Sequence, residues 1–176
     1  WDVTRSDGAF TYWCYGRFYG EDGGFGEVEI EFDWPRVIQY CSELTFSFGA
    51  SERNFSSGAL LKLSRLDRPN RIRLTIQEGN KVLAQTEWQK EEEKLLVRVS
   101  ASSGYIAVLI DGEPVIGALL ENKLYGNELA IRVGERPIDI TLFKLYPSNL
   151  FDTTFWKAPV EFYQTRGTWH IVPRWP

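Results

Sequence analysis

Leu95-Leu96-Val97-Arg98-Val99-Ser100, then Ser103-Gly104, Tyr105-Ile106-Ala107-Val108-Leu109-Ile110, Asp111-Gly112 and Glu113-Pro114-Val115 form the stretch that decides the architecture. Aliphatic, largely β-branched runs separated by glycine-containing dipeptides read as strand, tight turn, strand, tight turn, strand. Asp-Gly between two such runs is the chemistry of a two-residue hairpin. The pattern continues outward in both directions. Glu27-Val28-Glu29-Ile30-Glu31-Phe32-Asp33-Trp34 alternates acid with apolar residue, placing Val28, Ile30, Phe32 and Trp34 on one face and four carboxylates on the other. Leu44-Thr45-Phe46-Ser47-Phe48-Gly49 and Ile72-Arg73-Leu74-Thr75-Ile76-Gln77 repeat the scheme, so each strand should bury one face and wet the other. Further strands are expected at 59–63, 81–87, 128–133 and 138–145. Turn signals separate them at Glu78-Gly79-Asn80, Tyr125-Gly126-Asn127 and Gly134-Glu135-Arg136-Pro137. Ten to twelve short strands without helical periodicity predict an all-β antiparallel sandwich or barrel, not an α/β fold. Two facing sheets would share the aliphatic and aromatic faces as one core.

Composition narrows the function classes. The chain has 176 residues, 43% hydrophobic and 25% charged, which suits one domain with or without an appendage and excludes a disordered or fibrous protein. Twenty Lys+Arg against 24 Asp+Glu give a net charge of -4 without any basic run, which argues against a nucleic-acid partner. No stretch approaches the ~20 apolar residues that span a bilayer. Trp1-Asp2-Val3-Thr4-Arg5 carries neither an initiator Met nor a signal pattern, so the chain is expected to be a piece of a longer protein. The single histidine, His170, excludes a metal site of several imidazoles, and between Trp169 and Ile171 it reads as a partly buried strand residue. Cys14 and Cys41 lack the spacing of a zinc ribbon or a Cys-x-x-Cys motif. They are either bridged, which would imply an oxidising compartment, or simply buried.

The hairpin unit, together with Tyr19-Gly20 and Gly24-Phe25-Gly26 leading into the acidic strand and the closing runs Gly126 to Val133 and Ile138 to Leu145, resembles the concanavalin A-like lectin/glucanase jelly rolls, including laminin-G-like domains. The resemblance spans residues 10–147 and implies a two-sheet antiparallel jelly-roll sandwich over 1–147. Residues 148–176 differ in texture and hold Trp156, Trp169 and Trp175. They resemble the opening of a following jelly roll, with Trp169-His170-Ile171 and Trp175 echoing Trp1-Asp2-Val3 and Trp13. The alternatives are a docking segment or a tail that wraps its own sandwich. The expected partners include an adjacent domain or a second chain that continues the sequence.

Three uses of such a fold are open. Within this superfamily, glycoside hydrolase family 16 works from an alternating acidic strand; the resemblance implies Glu27 as nucleophile, Glu31 as acid/base and Glu29 as helper, where the family's pattern has Asp. Two carboxyls on one strand face can flank a glycosidic bond, and crowding raises one pKa as an acid requires. The plainer reading, preferred here, is an acidic face paired with cross-strand Arg and Lys. A lectin would use aromatic faces and planar polar groups, with Tyr12, Trp13, Tyr15, Tyr19 and Trp34 as candidate ligand-binding residues, although such a cluster also suits a core. Asp2, Asp7, Glu21 and Asp22 could offer calcium some oxygen ligands, but no loop has a ligand spacing, so no metal or cofactor is expected. A purely structural module would use Trp156, Trp169 and Trp175 as interaction anchors. The expectation is a non-catalytic binding domain of a larger extracellular or cell-surface protein, carbohydrate being the favoured ligand. A retaining glycoside hydrolase and an assembly module are the alternatives.

Overall fold

A computed structural model of the chain describes residues 2–6, 8–15, 27–33, 42–66, 71–89, 94–102, 104–122, 126, 128–134, 140–146, 160–165 and 168–173. They form the strands β1 (Asp2–Ser6), β2 (Ala9–Tyr15), β3 (Glu27–Asp33), β4 (Glu43–Ala50), β5 (Ala59–Arg65), β6 (Arg71–Glu78), β7 (Lys81–Gln89), β8 (Lys94–Ser102), β9 (Tyr105–Ile110), β10 (Glu113–Leu119), β11 (Glu128–Val133), β12 (Ile140–Tyr146), β13 (Val160–Thr165) and β14 (Thr168–Pro173). One 3-10 turn, Phe55–Ser57, interrupts them. Seven strands make one antiparallel sheet in the order β1-β2-β11-β4-β5-β6-β7, and five make the other in the order β10-β9-β8-β3-β12. Strands β13 and β14 pair with each other. The fold is the two-sheet antiparallel sandwich that the alternation predicts, and among the described residues no helix is long and apolar enough to cross a membrane.

Period two explains which residues meet in the middle. Val28, Ile30 and Phe32 of β3 lie beside Val99, Val97 and Leu95 of β8, and that layer faces Phe46 and Phe48 of β4, Leu61 and Leu63 of β5, and Leu74 and Ile76 of β6. All are buried in one cluster drawn from both sheets. Each such side chain contributes ~1.5–3 kcal/mol when withdrawn from water, so this interior is the main stabilising element. The Asp111-Gly112 turn between β9 and β10 has φ of 52° and 86°, the left-handed pair that a two-residue hairpin of this kind uses. Pro114, which cannot donate to a ladder, falls on the outermost strand of its sheet beside a register shift.

One expectation is corrected at the centre of the larger sheet. Every residue from Leu44 to Ala50 is buried, so β4 has no wet face. Gly49, at φ 69°, sits in a register shift opposite β11 and brings Ala50 onto the same side as Ser47. The 3-10 turn then folds over that side, and Ser47 Oγ donates to the Phe55 carbonyl at 2.6 Å. Gly58 makes this close approach possible, because a methyl group there would meet the Phe48 carbonyl oxygen and Ser47 Oγ. Two neighbouring side chains with long stems, Arg132 and Lys62, flank Thr45 on the same side.

Candidate functional site

The outer face of the seven-stranded sheet is assembled by register. Thr4, Thr11, Arg132, Thr45, Lys62, Thr75 and Gln85 lie side by side across β1, β2, β11, β4, β5, β6 and β7. The next row holds Trp13, Ala130, Ser47, Leu60 and Gln77, and the row on the opposite flank holds Ser64, Arg73 and Glu87. Short hydroxyl side chains therefore alternate with long planar or cationic ones. Thr11, Thr45 and Thr75 are buried between their longer neighbours, while Arg132 stands exposed and Lys62 is part-exposed.

The side chains on this face are held in place. Arg132 donates through Nε to Thr11 Oγ1 at 3.2 Å and lies 4.1 Å over the Phe55 ring, a cation–π contact that fixes the guanidinium. Phe55 meets Trp13 edge to face at 6.3 Å, and Trp13 Nε1 donates to Thr4 Oγ1 at 3.1 Å. Trp13, Ala50, Phe55, Leu60 and Ala130 form a second, smaller apolar cluster that supports one end of the face. At the other end, Glu43 accepts from Thr45 Oγ1 at 3.0 Å and Ser64 Oγ at 3.3 Å, with Lys62 Nζ 3.9 Å away. Glu87 holds Arg73 at 3.3 Å and Arg71 at 3.9 Å. Such planar, charged and hydroxylic groups, already oriented, can bind a ligand dense in oxygen atoms.

The outer face of the five-stranded sheet differs. Glu29 lies between Arg98 of β8 and Lys144 of β12, and Lys144 Nζ donates to its carboxylate at 3.1 Å. Glu31 accepts from Lys94 Nζ at 3.2 Å and Thr141 Oγ1 at 2.7 Å. Glu27 begins β3, with Ser100 and Tyr146 as its backbone register partners. Across β9 and β10 the face turns apolar, with exposed Tyr105 and Leu119 paired across the strands.

The structure separates the aromatic cluster of β2. Tyr12 packs against the main core, while its neighbour Trp13 is on the opposite side of the strand and only 3% exposed. Tyr15 closes the backbone of β2, and Tyr19 and Trp34 lie outside the described residues. Cys14 is a free, buried thiol on the core side, and burial pushes its pKa up. Cys41, Asp7, Glu21, Asp22, Trp156 and Trp175 also lie outside the described residues, and Trp169 and His170 belong to the backbone of β14. Asp2 is engaged by Arg53 at 2.7 Å. Among the described residues no three His, Cys, Asp or Glu side chains gather as a metal site. Sequence reading did not single out Thr45, Lys62, Thr75 or Arg132. Their signal lies in strand register, which joins positions as far apart as Thr11 and Arg132.

The same architecture occurs in solved structures. The carbohydrate-binding module CBM66 from Bacillus subtilis superposes with a TM-score of 0.51 at 13% identity, covering 79% of this chain and 82% of the module. A double variant of human galectin-16 gives 0.51 at 10% identity, over 78% of this chain and 95% of the galectin. The chain has a concanavalin A-like jelly-roll fold. A prokaryotic β-1,3-1,4-glucanase (lichenase) derived from a mouse hindgut metagenome is similar at a TM-score of 0.46 and 10% identity, over 78% of this chain and 71% of the enzyme. No protein-family model and no curated protein sequence matches the chain. Within this concanavalin A-like sandwich, residue chemistry must choose between the two outer faces, because a shared fold does not fix a site.

Proposed function

We propose that the chain is a non-catalytic carbohydrate-binding module of a larger secreted or cell-surface protein, with the outer face of the seven-stranded sheet as its platform. The observation that carries this reading is the in-register row from Thr11 through Arg132, Thr45, Lys62 and Thr75 to Gln85. Saccharides present rings of vicinal hydroxyls, and guanidinium, carboxamide and carboxylate groups match them with paired hydrogen bonds. Preorganisation by Phe55, Thr11 and Glu43 reduces the side-chain entropy lost on binding. The carbohydrate-binding module that shares the fold supports a saccharide as ligand. The ion pairs of Glu29 and Glu31 support a structural role for the acidic strand.

Glycan-array binding by the wild type, Arg132→Ala and Lys144→Ala tests the platform. Arg132→Ala should lose at least about tenfold in affinity, equivalent to ~1.4 kcal/mol, and Lys144→Ala should bind as the wild type does. Binding that ignores Arg132 and depends on Lys144 would move the site to the five-stranded sheet. Binding should be unchanged by calcium or chelator. Polysaccharide turnover lost in Glu27→Ala or Glu31→Ala with folding retained would establish the hydrolase alternative instead. Residues 148–176 are assigned to contact with a neighbouring domain through Trp156, Trp169 and Trp175; deleting 150–176 should alter assembly state or solubility, and unchanged behaviour would refute that assignment.

A further inference from the structure

We infer that the saccharide taken by this face is anionic, carrying carboxylate or sulfate groups; the inference rests on the carbohydrate reading of the same face. Strands β11, β4, β5, β6 and β7 carry Arg132, Lys62, Arg71 and Arg73 on this face against Glu43, Glu87 and the buried Glu128, four cations to three anions. On the opposite outer face the carboxylates of Glu29 and Glu31 are paired with Lys144 and Lys94. The protein as a whole is at -4, so a uniformly charged surface of this sign would repel a polyanion. Attraction for a polyanion must therefore come from the arrangement of cations and what holds them, not from net charge.

The arrangement of the cations adds to their number. Arg132 and Lys62 lie on either side of β4, two strand spacings or ~10 Å apart at the backbone, with the low Thr45 between them. That separation matches anionic groups repeating along a polysaccharide, one on each disaccharide. Arg132 is held by a neutral hydroxyl and an aromatic ring, so its charge is not cancelled by either contact. Lys62 is 3.9 Å from Glu43, too long for a hydrogen bond. Arg71 and Arg73 share the single carboxylate of Glu87, and the buried Nε of Arg73 has no hydrogen-bond partner.

Titration of the whole chain with heparin as the sulfated probe, polygalacturonate as the carboxylated probe and a neutral β-glucan tests the inference. The two acidic polymers should bind at least about tenfold more tightly than the neutral one, and rising NaCl should weaken them alone. Lys62→Met, which removes the charge from a stem of similar length, should weaken the acidic polymers severalfold with an unchanged unfolding midpoint, and Arg132→Gln, which also removes the contacts to Phe55 and Thr11, should weaken them severalfold as well. Lys62→Met leaves the Phe55 contact untouched and so separates charge from folding. Preference for only one acidic polymer would identify the anionic group. Neutral β-glucan bound as tightly, with no dependence on salt or on either variant, would overturn the anionic ligand and leave the carbohydrate reading standing. Binding lost equally in Lys94→Met would reduce the effect to general charge and overturn the inference. Failure of every saccharide to bind the folded chain would overturn both readings.

Discussion

The two outer faces of this sandwich are built by the same strand alternation, yet they use charge differently. On the five-stranded sheet, Glu29 has a side chain only 14% exposed and is held between cationic neighbours, so its charge is spent within the protein. On the seven-stranded sheet, Lys62, Arg71 and Arg73 also face carboxylates, but the exposed Arg132 rises from a floor of buried threonines and is positioned by a ring and a hydroxyl. A cross-strand ion pair satisfies both partners and leaves little for a ligand to gain. A cation fixed by neutral groups keeps its full electrostatic reach. Charged residues on a strand face can therefore serve structure or binding, and the difference lies in what holds each side chain.

Phe55→Ala should have the largest effect on this contrast. It removes a buried ring from the Trp13 cluster and the surface on which Arg132 rests, so urea unfolding should show a loss of about 3 kcal/mol together with weakened binding. Stability lost without any change in binding would detach the turn from the site. Gly58→Ala should come next, at about 2 kcal/mol by thermal or urea unfolding, because its methyl group forces the 3-10 turn away from β4. A neutral result would mean that the turn is not held down as described. Lys144→Ala should cost about 1 kcal/mol by leaving the mostly buried Glu29 carboxylate underpaired. Lys94→Ala, whose side chain is 64% exposed, should cost less than about 0.5 kcal/mol. Equal costs would contradict the view that burial gives the Glu29 pair its weight.

The smallest effect concerns the inner side of β2. Burial raises the Cys14 pKa in the folded state, so the thiol's contribution is complete below its unfolded value and is lost as pH rises through the folded one. The stability advantage of the wild type over Cys14→Ala should therefore narrow on the alkaline side of the ordinary thiol range. An advantage that stays constant there would show that Cys14 does not face the core.

Much of the architecture was legible because apolar alternation records which side of a strand is dry. Val28, Ile30 and Phe32 announced the inner face of β3, and Asp111-Gly112 announced the hairpin of β9 and β10. Strand β1, Asp2–Ser6, gave no such signal, since a mostly exposed sheet-edge strand has no apolar face to record. The wet outer face expected for β4 failed because Ser47 is covered by the 3-10 turn that follows the strand and Thr45 lies between the long stems of Lys62 and Arg132. The aromatic cluster around Trp13 suggested one platform, whereas adjacent positions on a strand point to opposite sides. The candidate site was still harder to see. Thr11, Arg132, Thr45, Lys62 and Thr75 come from five strands, and only the pairing of β2, β11, β4, β5 and β6 makes them neighbours.

Backbone amide chemical shifts, recorded by NMR on the whole chain while an acidic polysaccharide fragment is titrated, test the assignment of the face most directly. The account predicts perturbations concentrated at Thr11, Thr45, Lys62, Thr75 and Arg132, with little change at Glu29, Arg98 and Lys144. Perturbations centred on Glu29, Arg98 and Lys144 would contradict it and place the ligand on the five-stranded sheet.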